Sequence, residues 1–219
     1  MTQTSRRMKL VVFGATGRTG RVVVEQALAG GHQVRALARS PERAVLPEGV
    51  EILRGDVRDA DAVSDIVNGA EAVVSCLGAR LSQTFRAEGR VNTHGMPNIV
   101  AAMRKRGARR IIAMSSYGAG DSLSRLGVMA RFGMSTVMRG VIADMNALEE
   151  TLQASDLDWT IVRPVNLKDG PPAGNLVVDR PGAIGASDWV TRADVAVFML
   201  ASLGAAATFR RAFLLSGPH

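Results

Sequence analysis

Short apolar runs alternate with amphipathic segments along most of the chain. Residues 9–13 are apolar from Leu10 to Phe13 and end at a glycine, which is typical of a central parallel strand buried on both faces. Residues 18–29 repeat apolar positions at helical spacing and are followed by two glycines, a helix-ending signal. The same patterns predict further strands at residues 33–38, 50–53, 71–77, 110–114, 159–162, 176–179 and 212–215. Further helices are predicted at residues 59–67, with Asp59 as the capping aspartate, and at residues 91–106, 141–154 and 192–203.

Strands that alternate with helices at this spacing indicate an α/β fold. We predict a Rossmann-type doubly wound parallel sheet with helices on both faces. A length of 219 residues favours one domain, and the chain contains no internal repeat, linker or low-complexity segment. We therefore expect residues 1–219 to form a single domain.

The strongest chemical signal is a glycine-rich loop between the first predicted strand and the first predicted helix. Three glycines at Gly-x-x-Gly-x-x-Gly spacing in this context are typical of a dinucleotide-binding loop. The first glycine allows a tight turn, the second a close approach to the diphosphate, and the third close packing of the helix on the strand. The free N–H groups of the helix N-terminus favour phosphate. The loop residues predicted to bind the cofactor are Gly14, Thr16, Gly17, Arg18, Thr19 and Gly20.

The end of the second predicted strand indicates which dinucleotide is bound. An NAD site places an acidic residue there to bind the ribose hydroxyls, but this chain has Arg39, followed by Ser40 and Arg43. Arginine binds a 2′-phosphate through two parallel hydrogen bonds. We therefore predict NADP(H) rather than NAD(H), and the alternative is that these arginines are ordinary surface residues.

Two further loops follow predicted strands and are expected at the same edge of the sheet. After the third strand, Asp56 is placed to accept a hydrogen bond from the adenine amino group, with Val57 beside it, although Asp56 has helix capping as its alternative role. After the fourth strand, a small-residue loop allows backbone to lie against the ribose. The cofactor-binding residues predicted in that loop are Leu77, Gly78, Ala79 and Arg80.

Four segments together resemble the short-chain dehydrogenase/reductase superfamily, in its atypical branches. They are residues 14–20, 54–57, 114–116 and 162–164. Residues 8–216 are most similar to the NAD(P)H-binding group of flavin reductase/biliverdin-IXβ reductase and NmrA-like proteins. The resemblance implies one NAD(P)-binding domain with a substrate-side portion at about 116–140 and 164–191. It also adds Pro164 and Val165 to the expected cofactor contacts.

The chain departs from the superfamily at its usual proton donor. Ordinary members use a Tyr-x-x-x-Lys pair, but the only tyrosine here, Tyr117, is followed four residues later by Asp121. Alignment on the neighbouring motifs places the pair at Val141 and Met145. The usual alcohol dehydrogenase chemistry therefore lacks its acid.

The flavin reductase group also lacks this pair, and its members transfer hydride to a flat conjugated acceptor. The resemblance thus implies an NADPH-dependent oxidoreductase that acts on a small planar flavin or quinone. Ser115 matches the group's active-site serine and is expected to orient the acceptor or relay a proton, or else only to bond cofactor or backbone. Asn166 replaces a histidine of the biliverdin-reducing member. Two alternatives stay open: a non-catalytic NADP sensor of NmrA-like type, and an epimerase, dehydratase or ketoreductase with a rearranged site.

Composition and charge limit the other classes of function. The net charge of +7 comes from 27 basic and 20 acidic residues, and the aromatic content of 4% is too low for a nucleic-acid stacking platform. One cysteine and three histidines without ligand spacing predict no metal site. The longest uncharged run, residues 195–209, is shorter than the roughly 20 residues of a membrane span. We expect a cytoplasmic protein with a small-molecule partner, and the sequence leaves its oligomeric state open.

Overall fold

The structure is a computed structural model that describes residues 6–78, 90–125, 138–180 and 187–217. Its helices and strands follow the predicted alternation. The strands are β1 (Lys9–Phe13), β2 (Gln33–Ala38), β3 (Val50–Arg54), β4 (Ala72–Ser75), β5 (Arg110–Met114), β6 (Asp158–Pro164), β7 (Asn166–Lys168), β8 (Val177–Val178), β9 (Trp189–Thr191) and β10 (Arg211–Ser216). The helices are α1 (Arg18–Ala29), α2 (Ala60–Val67), α3 (Val91–Arg106), α4 (Arg139–Gln153) and α5 (Arg192–Ala201).

Eight strands form the main sheet, in the order β3-β2-β1-β4-β5-β6-β10-β8. Every pairing in it is parallel except that of β8 with β10. The chain leaves β1 toward β2 on one side and later returns to β4 on the other. This reversal of strand order places a crevice at the carboxyl ends of β1 and β4, where ligands of open α/β sheets bind.

Each face of the sheet has its own apolar core. Leu10 and Val12 point into a core shared with α1 and α5, whereas Val11 and Phe13 point into a core shared with α2, α3 and α4. This alternation follows from the two-residue period of a strand, and the burial of both faces explains why β1 is continuously apolar. The predicted doubly wound parallel fold with helices on both faces is confirmed.

The differences from prediction lie at element ends and in the last third of the chain. Helix α2 begins one residue late because the carboxylate of Asp59 caps it and accepts hydrogen bonds from the N–H groups of Asp61 and Ala62. Strands β7 and β9 were not predicted, and they pair with each other as a separate two-stranded sheet. Three residues are too few to show an alternating pattern. Within the described ranges, no helix is long and apolar enough to cross a membrane.

The basic run at residues 104–110 has structural partners. Arg104 and Arg109 both pair with Asp156 at the surface. Arg110 is buried and donates hydrogen bonds to the carbonyl groups of Asp158, Ser202 and Leu203. Its guanidinium also donates to two threonine hydroxyls and lies 4.4 Å from the centroid of a phenylalanine ring. Burial lowers the pKa of Arg110 to about 10, so the group remains a cation at neutral pH.

We predict that Arg110→Met lowers the free energy of unfolding by about 3 kcal/mol or more, because several buried acceptors lose their donor together. Arg109→Met is the matched control, and we expect it to cost at most about 1 kcal/mol because exposed ion pairs contribute little. Urea unfolding followed by circular dichroism measures both variants. Equal losses of stability in the two variants would contradict this account of Arg110.

Candidate functional site

A pocket of about 550 Å³ opens at the carboxyl ends of β1, β2, β3 and β4. The sequence-predicted residues that line it are Gly14, Thr16, Gly17, Arg39, Asp56, Val57, Leu77 and Gly78. Further lining comes from residues that sequence reasoning did not assign to a cofactor: Phe13, Leu37, Ala38, Gly55, Arg58, Cys76 and Val91. Four loops that are distant in sequence thus meet at one cleft, as the topology requires.

The glycine loop forms one wall of this pocket. Gly14 has a φ of +75°, and a Cβ atom there would lie 2.5 Å from the carbonyl oxygen of Cys76. A Cβ atom at Gly20 would overlap the carbonyl oxygen of Gly14, so α1 packs directly against the loop. Gly17 is the N-cap of α1 and supplies no side-chain cap. The first-turn N–H groups of α1 therefore remain available to an anion.

The remaining predicted loop residues lie around the glycine turn. Thr19 is buried beneath the loop. Arg18 is exposed and forms an ion pair with Asp169, whose carboxylate also accepts a 2.7 Å hydrogen bond from Arg192. Asp169 lies in the predicted substrate-side portion, so Arg18 connects the glycine loop to that portion of the chain.

Ala79 and Arg80 lie outside the described residues, as do residues 126–137 and 181–186 of the substrate-side portion.

The structure separates the three residues predicted to select NADP. Arg39 is exposed and lines the pocket directly after β2. Ser40 is the N-cap of a short 3-10 turn whose last residue is Arg43, and neither belongs to the pocket lining that the structure describes. Of these three residues, only Arg39 belongs to the pocket lining that the structure describes.

Asp56 is held by an arginine that sequence reasoning missed. Its carboxylate accepts hydrogen bonds from Nε and Nη2 of Arg58 at 2.9 and 2.6 Å, and from the backbone N–H of Arg58 at 3.0 Å. Hydrogen bonding to Arg58 lowers the pKa of Asp56 to about 2, and the nearby charge of Arg39 adds to this effect. Asp56 is therefore an ionised acceptor throughout the physiological range. The sequence signal that could have indicated this pair is the position of Arg58, two residues after Asp56.

The fourth loop brings a thiol to the pocket wall. Cys76 lines the pocket, yet only 7% of the residue is exposed, and burial raises the pKa of its thiol to about 12. The group is thus a neutral thiol and a weak nucleophile. The neighbouring Gly78 is exposed and also lines the pocket.

Ser115 follows β5, lies outside the described pocket lining and belongs to a buried polar network. Its hydroxyl donates a 2.7 Å hydrogen bond to Oε1 of Glu149 on α4. Both oxygens of Glu149 also accept hydrogen bonds from Arg163 on β6, at 2.9 and 2.6 Å. Arg163 reaches Asp121 as well, at 2.6 Å. Burial alone would lower the pKa of Arg163, but the hydrogen bonds and charges of Glu149 and Asp121 raise it, so the ion pair persists.

Val141 and Met145, the two positions at which the sequence motifs place the Tyr–Lys pair, lie in an apolar cluster. Val141 and Met145 on α4 are buried and pack with Ala119 and Met138. A Cβ atom built on Gly78 would lie 3.7 Å from the terminal methyl group of Met145, so this cluster borders the pocket. The side chains at these two positions are therefore apolar, and the amide nitrogen of Asn92 lies 3.9 Å from the sulfur of Met145.

Pro164 and Val165 are buried where β6 ends. The carbonyl of Pro164 accepts a hydrogen bond from the N–H of Tyr117, and the N–H of Val165 donates to Leu215. Neither is part of the pocket lining within the described ranges. Among the described residues, no three His, Cys, Asp or Glu side chains are grouped to hold a metal ion.

We predict that Glu149→Gln lowers the free energy of unfolding by about 3 kcal/mol, because it removes the negative charge that compensates a buried guanidinium. The adjacent Glu150 is exposed, and Glu150→Gln should leave stability within about 0.5 kcal/mol of the wild type. The urea unfolding midpoint of each variant tests this. An unchanged midpoint for Glu149→Gln would show that the ion pair contributes no net stability.

Several known proteins are similar to this chain in sequence or in structure. A chloroplastic protein of uncharacterized function from Arabidopsis thaliana is 31% identical over 178 residues, which is 78% of this chain and 63% of that protein. The chain thus spans less than two thirds of that relative. The solved structure of ChuY, an anaerobillin reductase from Escherichia coli O157:H7, is 26% identical with a TM-score of 0.78, and the match covers 96% of this chain and 97% of ChuY.

A short-chain dehydrogenase/reductase of wide type from Veillonella parvula, solved with NADP, has a TM-score of 0.79. It is 18% identical, with 96% of this chain and 95% of that chain covered, and at this identity the likeness concerns the fold alone. A family model described as NAD(P)H-binding matches residues 14–206, which include the glycine loop and every strand of the main sheet except β1 and β10. The chain therefore belongs to the NAD(P)H-binding family.

Proposed function

We propose that the protein is an NADPH-dependent reductase that transfers hydride to a small planar conjugated acceptor, a flavin or a quinone. Membership of the NAD(P)H-binding family supports the cofactor class. The similarity to ChuY, described as an anaerobillin reductase, supports reduction of a conjugated acceptor. We also propose that the chain forms a single domain. We propose a cytoplasmic location as well, because a chain with one cysteine suits a reducing compartment.

The pocket lining supports NADPH over NADH. Arg39 stands where an NAD site places a carboxylate, and its guanidinium suits a phosphate dianion. Asp56, the acid in the described lining, is already hydrogen-bonded to Arg58. The glycine loop and the N-terminus of α1 fit a diphosphate, so the residues present are compatible with the whole adenosine end of the cofactor.

The proposal of a planar acceptor rests on the apolar cluster beside Gly78. When bound, NADPH supplies a hydride, and a carbonyl substrate would also need a protein acid to protonate its oxygen. Val141 and Met145 are not acids, and their apolar cluster borders the described pocket lining at Gly78, which favours a flat conjugated molecule there. A flavin or quinone accepts hydride at a ring atom and takes its proton from water, so orientation supplies most of the catalysis.

Ser115 is proposed as an orienting group for this acceptor. Its proton lies in a hydrogen bond to an ionised carboxylate, so its oxygen has only acceptor capacity to offer a ligand. We therefore favour orientation over proton relay for this serine. Glu149 and Arg163 are then positioning residues that hold the hydroxyl in one rotamer.

The proposed function predicts tight NADPH binding and acceptor-dependent NADPH oxidation. Calorimetric titration with NADPH and NADH, followed by absorbance measurements with FMN, riboflavin and a quinone, tests both parts. Turnover with at least one acceptor supports the reductase. Tight NADPH binding without any turnover would contradict it and favour the sensor.

The choice of cofactor is tested by reversing one charge. We predict that Arg39→Glu weakens NADPH binding by at least about tenfold, because it removes a phosphate ligand and adds repulsion, while NADH binding changes little. Arg43→Glu is the control, because Arg43 lies in the neighbouring 3-10 turn and not in the described lining. Similar losses in both variants would show that charge near the pocket, rather than contact with Arg39, selects the cofactor.

A further inference from the structure

Asp56 and Arg58 form an acid–base pair in the pocket, and the binding assigned to the glycine loop and to Arg39 makes no use of Arg58. Asp56 stands directly after Gly55 at the end of β3, and both Asp56 and Arg58 line the pocket. The guanidinium reaches both carboxylate oxygens through Nε and Nη2. This two-bond arrangement fixes the orientation of the carboxylate as well as compensating its charge.

The negative charge of Asp56 disfavours the binding of a cofactor that carries a 2′-phosphate. The 2′-phosphate is a dianion, and its proposed ligand Arg39 lines the same pocket as Asp56. The charge of Arg39 also contributes to lowering the pKa of the Asp56 carboxyl. An uncompensated Asp56 would therefore repel the phosphate and compete with it for Arg39. With Arg58 in place, the described lining at this end of the pocket places two guanidinium groups, those of Arg39 and Arg58, beside the one carboxylate of Asp56.

We propose that Arg58 is a specificity-determining residue that enables NADP to bind by neutralising Asp56. The carboxylate then serves the adenine amino group as an acceptor while the phosphate meets only the charge of Arg39. This inference rests on the proposed NADPH-binding function and assigns to Arg58 a part in it. A cofactor without the 2′-phosphate needs no such neutralisation, so NAD should depend far less on Arg58.

Two small ligands test the adenosine end without involving turnover. Adenosine 2′,5′-bisphosphate carries the 2′-phosphate, and AMP differs from it only in lacking that group. We expect Arg58→Ala to weaken the bisphosphate by about tenfold, the effect of one interaction of about 1.4 kcal/mol, and AMP by no more than about twofold. Calorimetric titration measures both ligands, and thermal melting confirms that each variant is folded.

The double variant Asp56→Asn/Arg58→Ala separates neutralisation from direct contact. If Arg58 acts by neutralising Asp56, removing the carboxylate restores bisphosphate affinity to within about threefold of the wild type. Arg109→Ala is the control, because Arg109 is an exposed arginine before β5 that pairs with Asp156 and lies outside the described lining. It should leave the bisphosphate-to-AMP ratio unchanged.

Three results would overturn the inference, and they differ in what else they affect. A double variant as weak as Arg58→Ala would mean that Arg58 binds the phosphate itself. Equal losses for both ligands in Arg58→Ala would mean a structural role. In both cases the wild type still prefers the bisphosphate, and the proposed function stands. A wild type that binds neither ligand, or binds them equally, would remove the proposed NADPH site together with the role of Arg58.

Discussion

Contact between backbone atoms at the glycine turn is the constraint on which the pocket depends. A side chain at Gly14 would meet the carbonyl oxygen of Cys76, and one at Gly20 would overlap the carbonyl oxygen of Gly14. Because these neighbours are main-chain atoms, no change of rotamer can make room. The position of α1 relative to β1 and β4 is therefore set by the absence of side chains, and the helix N-terminus is held at the pocket wall.

The other side of the proposed site depends on charge rather than on close backbone packing. The buried pair of Glu149 and Arg163 joins α4 to β6, and Ser115 adds the end of β5 to the same network. Gly120 packs over this pair, since a Cβ atom there would lie 2.5 Å from both charged groups. The Ser115 hydroxyl, the Glu149 carboxylate and the Arg163 guanidinium are thus hydrogen-bonded to one another inside the protein. The same helix α4 carries Val141 and Met145 of the apolar cluster beside the pocket. Helix α4 therefore contributes both to the buried ion pair and to the apolar cluster.

The sequence contained enough information to predict the sheet and the glycine loop, because both depend on local patterns. Apolar runs, helix-ending glycines and the Asp59 cap act within a few residues. The contacts of Arg110 and the pairing of Ser115 with Glu149 join residues far apart in the chain, which no local pattern can reveal. Strands β7 and β9 were missed for the same reason, since their pairing is set by tertiary structure.

The predicted cofactor residues show the same division. Ser115 after β5 and Val165 after β6 lie outside the described lining, whereas predicted residues in the loops directly after β1, β2, β3 and β4 reached the pocket, because the carboxyl ends of these neighbouring parallel strands share one edge. Ser40 and Arg43 did not, because a 3-10 turn carries the chain away after Arg39. Arg58 was missed because its importance comes from its hydrogen bonds to Asp56 rather than from a motif.

The state of Cys76 has a consequence for the compounds that the proposed reductase meets. Quinones are electrophiles that alkylate thiolates, and a thiolate in the cleft would be a point of self-inactivation. The chain has one cysteine, and burial raises its thiol pKa to about 12, so almost no thiolate exists at neutral pH. The sulfur can therefore form part of the pocket wall and remain inert toward the acceptor, and the same property leaves thiol-directed covalent inhibitors without a target.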